Sequence, residues 1–233
     1  MLPVGAPVEP LPSGRAPERT PLVGRHVRLE PVDVAAHAAS LFALSHARPE
    51  DAALWTYLPY GPFPDQSAFA SWLADRAASS DPLFFAVIEE QSGQAVGMAS
   101  YLNIVPAMAC IEIGHIWFAP PLQQTRAATE AIFLMMRHVF DDLGYRRLEW
   151  KCNALNEASM RAARRFGFTY EGTFRQHMVV KGRNRDTAWF ALLDREWPAV
   201  RAAFERWLAP ENFDAPGRQR ASLGALMPDR PPP

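Results

Sequence analysis

The fold of this chain is decided by residues 113–131, which read IGHIWFAPPLQQTRAATEA. An apolar strand ends at a Pro-Pro break, a polar turn follows at residues 123–125, and an amphipathic helix then begins. Such a junction leaves backbone N–H groups unpaired at the positive end of the helix dipole, where a phosphate can bind. No acidic side chain stands between residues 120 and 128 to repel an anion. Many helices begin in this way with only water at their ends, so the junction needs supporting signals.

The composition is that of an ordinary globular protein. The 233 residues are 48% hydrophobic and 21% charged, and a net charge of −1 gives no overall attraction to nucleic acid or anionic membranes. Cys110 and Cys152 lie in apolar runs and lack the spacing of a metal site or a disulfide framework. No apolar run has the length of a membrane span or the form of a signal core. We therefore expect a cytoplasmic protein that binds no metal, no membrane and no nucleic acid.

Proline marks both ends of the chain. Residues 1–21 and residues 209–233 are Pro-rich with little periodicity, which is typical of extended arms that are disordered or lie over the body. Residues 22–208 form the expected single folded domain, and they contain no internal repeat.

Within this domain the predicted elements alternate between strands and helices without a regular repeat. The order is a strand, two helices, an antiparallel meander, a long helix, a strand, a helix, a hairpin and a last helix. The meander ends in a strand over Cys110–Phe118, the long helix runs from Arg126 to Leu143, and the next helix covers Asn156–Phe166. The last hairpin turns at residues 182–185. This order predicts a mixed α/β domain and not a doubly wound parallel sheet.

Two motifs resemble those of the GNAT superfamily of acetyl-CoA-dependent N-acetyltransferases, and within it the RimJ/RimL-like branch. The family's acetyl-CoA segment runs Gln/Arg-x-x-Gly-x-Gly/Ala, commonly followed by Thr-Glu-Ala. It is matched here by Gln123, Ala128, Thr129, Glu130 and Ala131. A second motif, Asn-x-x-Ser followed by Gly-Phe-x-x-Glu-Gly, is complete at Asn156, Ser159, Gly167, Phe168, Glu171 and Gly172. The likeness covers residues 22–197.

The resemblance implies a fold and a cofactor site. The fold is α/β, with a central, mostly antiparallel sheet that is splayed at the acetyl-CoA strand and flanked by helices. Acetyl-CoA is the implied co-substrate: its pantetheine arm would lie beside this strand, and its diphosphate would bind the N–H groups of the turn. A main-chain N–H near Trp117 or Phe118 would polarise the thioester carbonyl. The implied cofactor-binding residues are Trp117, Phe118, Gln123, Gln124, Thr125, Arg126, Ala127, Ala128, Thr129, Asn156 and Ser159.

Arg126 is the one departure from the acetyl-CoA segment, because the family usually has its central glycine here. Glycine lets the backbone approach the diphosphate closely, whereas arginine removes some of that freedom and adds a cation with a planar fork. We expect Arg126 to contact phosphate, and a solvated surface arginine is the alternative.

The chemistry implied by the family requires a group that removes the amine proton and a group that stabilises the departing thiolate. We assign the first role to Glu112, with His115 on the same strand as the other candidate. The two residues are three apart, so strict alternation would put them on opposite faces. Ser159 is the candidate acid near the thiolate. Its alternative role is structural, in the first turn of a helix capped by Asn156.

The acceptor is open between a protein N-terminal α-amine and a small-molecule amine. Trp55, Tyr57 and Tyr60 lie where relatives place the substrate-facing helix and loop, so they are candidates for substrate binding, with a core role as the alternative. A basic protein substrate would suit an acidic rim, for which the candidates are Asp33, Glu50, Asp51 and Asp65. A homodimer is also open. The alternative to an enzyme is a non-catalytic acyl-CoA-binding module, which only Arg126 favours.

Overall fold

A computed structural model describes residues 2–10 and 14–228 of the chain. The strands are β1 (Leu22–Val23), β2 (Val27–Pro31), β3 (Leu83–Glu89), β4 (Ala95–Val105), β5 (Cys110–Phe118), β6 (Arg147–Asn153), β7 (Thr169–Val180) and β8 (Arg183–Leu193). The helices are α1 (Val34–Ser45), α2 (Gln66–Ala78), α3 (Arg126–Arg137), α4 (Glu157–Arg165), α5 (Trp197–Leu208) and α6 (Leu223–Leu226). Short 3-10 turns cover Pro49–Trp55, Pro106–Met108 and Pro210–Asn212.

The described strands form one sheet in the order β1-β2-β3-β4-β5-β6-β8-β7. Neighbouring strands are antiparallel except for β5 and β6, which pair in parallel. The parallel pairing covers only residues 110–112 of β5 against residues 147–149 of β6. Because β5 continues beyond residue 112 without β6 beside it, the sheet opens there. The expected mixed, mostly antiparallel α/β sheet is confirmed, and its opening lies at the predicted strand.

The two faces of the sheet have separate cores. On one face α3 and α5 pack in the larger core, and every residue of α3 from Ala127 to Met136 is buried. On the other face α1 and α2 cover β3 and β4 with a second core centred on Trp55 and Phe69. A helix that is buried on all sides is fixed by packing along its whole length. The start of α3 is therefore held firmly beside the opening of the sheet.

Glu130 ties α3 to the amino-terminal edge of the sheet. Its carboxylate accepts hydrogen bonds from the N–H groups of Arg25, His26 and Val27 at 3.0, 2.6 and 3.1 Å. The turn between β1 and β2 thus closes on a buried side chain of the helix. A Cβ at Gly24 would lie 2.7 Å from this carboxylate, so the turn requires a glycine there.

The long predicted helix ends earlier than expected. The α-helical part stops at Arg137, and a π-helical turn covers His138–Asp142 where the sequence predicts α-helix to Leu143. The hydroxyl of Tyr101 donates to the carbonyl of Met135 at 2.8 Å. A side chain that occupies a helix carbonyl competes with the regular ladder, and such insertions are a known cause of π-turns and bends.

Both Pro-rich ends contact the body where they are described. The N–H of Arg15 donates to the carbonyl of Leu143 at 3.0 Å. At the other end Leu223 is fully buried, and the indole of Trp207 donates to the side chain of Gln219 at 2.8 Å. Residues 1, 11–13 and 229–233, which belong to the predicted arms, lie outside the described residues. The division of the chain at residues 22 and 208 stays a prediction.

Candidate active site

The main cleft opens where β5 and β6 separate. Their pairing ends with Glu112 opposite Glu149. Beyond this point β5 runs to Phe118 beside β4, and β6 runs to Asn153 beside β8. The space between them is a cavity of about 1680 Å³, lined by β5, β6, β8, the first turns of α3 and α4, and residues near the C-terminus. Its two walls are therefore the edges of strands that belong to one sheet.

A β-bulge in β5 turns two ionisable side chains into this cleft. Residues 114–117 of β5 lie opposite residues 98–100 of β4, so β5 contains one extra residue. His115 adopts the left-handed conformation, with a φ of 51°. The extra residue breaks the alternation of the strand, and both Glu112 and His115 line the cleft. The expectation that they lie on opposite faces is therefore wrong.

The N–H of Phe118 is a main-chain donor that faces the gap. The N–H of the following residue, Ala119, donates to the carbonyl of Val96 in β4 at 2.9 Å. Successive N–H groups of a strand point to opposite edges, so that of Phe118 points away from β4. The side-chain amide of Gln123 donates to the carbonyl of Phe118 at 2.8 Å. The carbonyl is thus occupied, and the N–H remains for a ligand.

The first turn of α3 presents further main-chain donors. Thr125 caps the helix, because its side chain accepts a hydrogen bond from the N–H of Ala128 at 3.1 Å. Within residues 2–10 and 14–228, the N–H groups of Gln124, Arg126 and Ala127 have no hydrogen-bond partner. Gln124 has a φ of 62°, which bends the chain into a turn. Donors gathered at the positive end of a helix dipole are suited to a phosphate.

Asn156 and Ser159 form the first turn of α4 on the opposite wall. The side chain of Asn156 accepts from the N–H of Ser159 at 3.1 Å, which makes Asn156 the N-cap. The hydroxyl oxygen of Ser159 accepts from the indole of Trp150 at 2.9 Å. A hydroxyl can accept and donate at once, so the proton of Ser159 can be donated to the neighbouring sulfur of Cys152 or to a group in the cleft.

Glu112 belongs to an ion-pair network that joins β5 to β6. The ammonium of Lys151 lies 2.9 Å from the carboxylate of Glu112 and 2.8 Å from that of Glu149. The amide of Asn103 also donates to Glu112, at 2.7 Å. Burial raises the pKa of Glu112 above its usual range, although the charge of Lys151 acts in the opposite direction. A carboxylate with a raised pKa is a stronger base than an exposed one.

His115 lies against an aromatic side chain from the second core. The hydroxyl of Tyr60 is 3.1 Å from Nδ1 of His115, and the two rings stack with centroids 5.6 Å apart. Burial, together with the charges of Arg76 and Arg185, lowers the pKa of His115 to about 4. The imidazole is therefore neutral at pH 7 and can accept a hydrogen bond or a proton.

Comparisons with known proteins assign this arrangement to a family. The model of the acetyltransferase (GNAT) domain matches residues 26–169, which is more than half of the chain. The chain belongs to the GNAT family of acetyltransferases. The family expected from the two sequence motifs is thereby confirmed.

Solved GNAT structures have the same fold. A crystal structure of a GCN5-related N-acetyltransferase from Brucella melitensis is 49% identical, with a TM-score of 0.91, and the match covers 94% of this chain and 99% of that one. A GNAT-family structure from Chromobacterium violaceum ATCC 12472, described as a probable acetyltransferase, is 46% identical with a TM-score of 0.78. That match covers 85% of this chain and 98% of the other.

A curated relative supports the RimJ/RimL-like branch. The Bacillus subtilis (strain 168) protein named "Putative ribosomal N-acetyltransferase YdaF" is 30% identical over 105 residues. The match covers 45% of this chain and 57% of that protein. The chain thus spans little more than half of the length of this relative.

The GNAT cofactor residues predicted from sequence lie together in the cleft, with one exception. The side chain of Ala127 is buried behind the first turn of α3 and does not line the cavity. The predicted residues that line the cavity are Trp117, Phe118, Gln123, Gln124, Thr125, Arg126, Ala128, Thr129, Asn156 and Ser159. Ala127 contributes a main-chain N–H only.

Arg126, which replaces the GNAT glycine, contacts an aromatic ring near the C-terminus. Its guanidinium lies 3.5 Å from the ring centroid of Phe213. The same side chain lines the cleft. Phe213 belongs to the part of the sequence that the composition describes only as a Pro-rich arm, so this contact had no signal in the sequence. The expected contact of Arg126 with phosphate stays a prediction.

The three aromatic residues predicted to bind substrate have different surroundings. Trp55 is fully buried in the second core, 5.1 Å from the ring of Trp117, and does not line the cleft. Trp55 therefore has the core role that the sequence left as the alternative, because a ring packed on all sides cannot reach a ligand. Tyr57 lines the cleft and donates to the carbonyl of Leu155 at 3.0 Å, across the opening. Tyr60 does not line the cleft itself, but its hydroxyl contacts the ring of His115, which does.

The cleft residues that the sequence analysis missed include Lys151, Arg185 and Trp189. The ammonium of Lys151 lies 4.0 Å from the ring centroid of Trp189. The Nε of Arg185 is buried without a hydrogen-bond partner in the described part of the chain, and burial lowers the pKa of this arginine. Lys151 and Arg185 lie in strands that also contain other charged residues, such as Glu149 and Asp186, so no local pattern marks these two as cleft residues.

The acidic residues predicted as a rim have local structural roles. Asp33 and Asp65 cap α1 and α2 with their side chains. Asp51 pairs with Arg48 at 2.9 Å, and Glu50 lies 3.4 Å from the same arginine. These carboxylates are committed to neighbours in the chain, so the structure does not support a free acidic rim.

Residues 2–10 and 14–228 contain neither a candidate metal-ion cluster nor a helix that could cross a membrane. In that part of the chain, no group of three or more His, Cys, Asp or Glu side chains could hold a metal ion. Over the same residues, no helix has the length and hydropathy needed to cross a bilayer.

Proposed function

We propose that this protein transfers the acetyl group of acetyl-CoA directly to a primary amine. The observation that carries the proposal is the opening between β5 and β6. Main-chain donors of Phe118 and the first turn of α3 lie at one end of it, and Glu112 and His115 lie at the other. A thioester held along the edge of β5 would have its phosphates on α3 and its carbonyl at Phe118.

The amine must lose its proton before it can attack, because an α-amino group or a lysine is mostly charged at neutral pH. Glu112 is the proposed proton acceptor, acting through a chain of water molecules in the cleft, because it lies six residues before Phe118 on β5 and a strand rises about 3.3 Å per residue. Its raised pKa makes proton transfer less unfavourable than to an exposed carboxylate. Lys151 and Asn103 hold the carboxylate in place. In the tautomer whose Nδ1–H donates to the hydroxyl of Tyr60, Nε2 of His115 is the proposed hydrogen-bond acceptor that orients the uncharged amine.

Attack on the thioester builds negative charge on its carbonyl oxygen. The N–H of Phe118 is the proposed donor to that oxygen. It points away from β4 into the gap, and β6 does not pair with β5 at this position. The thiolate of coenzyme A then departs, and Ser159 is the proposed donor to its sulfur. The hydroxyl is positioned for this by the hydrogen bond from Trp150.

Direct transfer is favoured over an acetylated enzyme. Only a thiolate is an effective cysteine nucleophile. Burial raises the pKa of Cys110 to about 11, and it also raises that of Cys152, the cysteine that lines the cleft. Both thiols therefore stay protonated at neutral pH, which supports attack by the amine itself.

The acceptor is a primary amine, either a protein N-terminus or a small molecule. The Bacillus subtilis relative is named as a putative ribosomal N-acetyltransferase, which favours a protein amine. Small-molecule amines belong in the same test.

The test has a binding step and a transfer step. Calorimetry measures the binding of coenzyme A and acetyl-CoA, and release of free thiol over a panel of peptides and small amines measures transfer, with products identified by mass spectrometry. Binding followed by acetylation of an amine supports the proposal. Binding without transfer to any amine would identify the non-catalytic alternative, and absence of binding by folded protein would refute both.

A further inference from the structure

The C-terminal part of the chain forms one end of the cleft. We call Trp207 and residues 213–219 the C-terminal wall. The wall is anchored firmly: the side chain of Asn212 bonds to Trp207 and to Ala221, and Leu223 is fully buried. Phe213 and Gln219 form an isolated β-bridge. This part of the chain therefore has a defined structure and a fixed position beside α3.

The inner side of the wall faces the same cavity as the phosphate-binding turn. Trp207, Phe213, Gly217, Arg218 and Gln219 line the cavity together with Thr125 and Arg126. Gly217 has a φ of 83°, and a Cβ there would lie 3.7 Å from the guanidinium of Arg126. The wall thus approaches the start of α3 closely and leaves the cavity open between them.

Two arginines of the acetyltransferase body rest on aromatic rings of this wall. The guanidinium of Arg126 lies 3.5 Å from the ring centroid of Phe213, and that of Arg165 lies 5.2 Å from the ring centroid of Trp207. The two rings meet edge to face at 5.2 Å. A cation over an aromatic face is held in place by the ring's quadrupole. The rings therefore fix the direction of two positive charges.

Neither arginine has a carboxylate partner in the described part of the chain. Arg165 donates to the hydroxyl of Thr129 at 3.1 Å, and burial lowers its pKa. A half-buried guanidinium that lacks a counter-ion is costly unless a ligand supplies one. Both side chains line the cavity, so an anionic ligand can reach them.

We propose that the C-terminal wall completes the coenzyme A site by holding Arg126 and Arg165 against the phosphates of the nucleotide end. Phe213 and Trp207 are positioning residues in this arrangement, and the two arginines make the contacts. The inference rests on the proposed function, because it needs coenzyme A in the cleft. It also accounts for the arginine at the GNAT glycine position: the cation is tolerated because Phe213 holds it beside the turn.

The experiment compares two ligands by calorimetry on the full-length chain. Coenzyme A contains the nucleotide end, and acetyl-pantetheine lacks it. In Phe213→Leu we expect affinity for coenzyme A to fall about 5- to 10-fold, as for loss of a cation–π contact that orients a charge. The affinity for acetyl-pantetheine, measured in the same way, should be unchanged. Phe213→Tyr should restore affinity, because it retains the ring.

Arg165→Met is the second variant, since it removes the charge and keeps an apolar stem over Trp207. Its affinity for coenzyme A should fall similarly, and the dependence of that affinity on salt concentration should become shallower. Arg220→Ala is the matched control, because Arg220 is exposed on the same segment and does not line the cavity. Thermal unfolding verifies that each variant is folded.

The outcomes separate this inference from the proposed function. If the wild-type protein does not bind coenzyme A, the proposed function fails and this inference fails with it. If the wild type binds but Phe213→Leu and Arg165→Met bind equally well, only the role of the wall is refuted. Tighter binding in Phe213→Leu would also refute it, because the wall would then obstruct the site.

Discussion

The two ends of the cleft are built from different parts of the protein. At the cofactor end, the groups offered to a ligand are main-chain N–H donors of Phe118, Gln124, Arg126 and Ala127. At the acceptor end they are side chains, among them Glu112, which is held by partners on two neighbouring strands. One end depends on the path of the backbone, and the other on a network of charges.

The difference predicts how each end tolerates substitution. Main-chain donors survive a change of side chain as long as the helix and turn keep their positions. A paired carboxylate is lost with a single substitution, and its partner is then left buried without a counter-charge. The cofactor end should therefore be sensitive to its supports, and the acceptor end to its own residues.

The largest effect is expected for the support of the cofactor end. Glu130→Ala removes the acceptor of three N–H groups at the start of β2, one buried and two partly buried, and should lower the free energy of unfolding by about 3 kcal/mol. Chemical denaturation measures this change. The matched control is Glu157→Ala, an exposed residue paired only with Arg161, which should stay within about 0.5 kcal/mol of the wild type. Equal stability of the two variants would contradict the proposed dependence on Glu130.

The next effect tests the acceptor end. Glu112→Gln should lower turnover at pH 7 by about 100-fold, because the amide cannot accept the amine proton. Steady-state kinetics with an identified amine measure it. Wild-type turnover should fall as the pH decreases through the raised pKa of Glu112, since the ionised form is the base, and the variant should lack this step. Glu171→Gln, in an exposed ion pair with Arg147, is the control. Full activity of Glu112→Gln would show that another group accepts the amine proton.

A smaller effect on turnover is expected for Ser159, which lies on the wall of the cleft opposite β5. Ser159→Ala should lower turnover about 10-fold at saturating acetyl-CoA, because the departing sulfur loses a hydrogen bond. The N-cap is unaffected, since Asn156 bonds to the main chain of residue 159. The lost partner of Trp150 should cost about 1 kcal/mol in stability, so turnover is compared well below the unfolding temperature. A fully active variant would leave Ser159 with a structural role only.

The smallest effect concerns Arg126. Arg126→Ala should raise the KM for acetyl-CoA about 5-fold and leave turnover at saturation unchanged, because the main-chain donors remain. A fall in turnover with KM unchanged would place this side chain at the reacting atoms, against the assignment of a purely cofactor-binding end. Arg137→Ala, near the other end of the same helix, is the control.

The same contrast explains what could be predicted from the sequence. The order of elements and the cofactor end follow from contiguous stretches, in which Thr125 and Asn156 stand at the positions of helix N-caps. The opening of the sheet follows from the family resemblance. Most of the predicted cofactor residues are neighbours in the chain, so they could not be placed far apart.

The acceptor end depends on contacts between distant residues. Lys151 reaches Glu112 only because β6 lies parallel to β5, and no local pattern records that pairing. The bulge at His115 also has no clear signal, because the residue in the left-handed conformation is a histidine and not the glycine that usually marks such a position. Phe213 was missed for a related reason: composition describes the end of the chain but not where it packs.

The short parallel pairing between β5 and β6 has a mechanical consequence. Strands β1–β5 and strands β6–β8 form two antiparallel halves, and the three-residue pairing is the seam between them. The contact of Glu112 with Lys151 crosses this seam at its open end. Any spreading of the halves by a ligand wedged into the gap would lengthen that contact first. If the pantetheine arm of acetyl-CoA enters this gap, its binding and the basicity of Glu112 are coupled through this one contact.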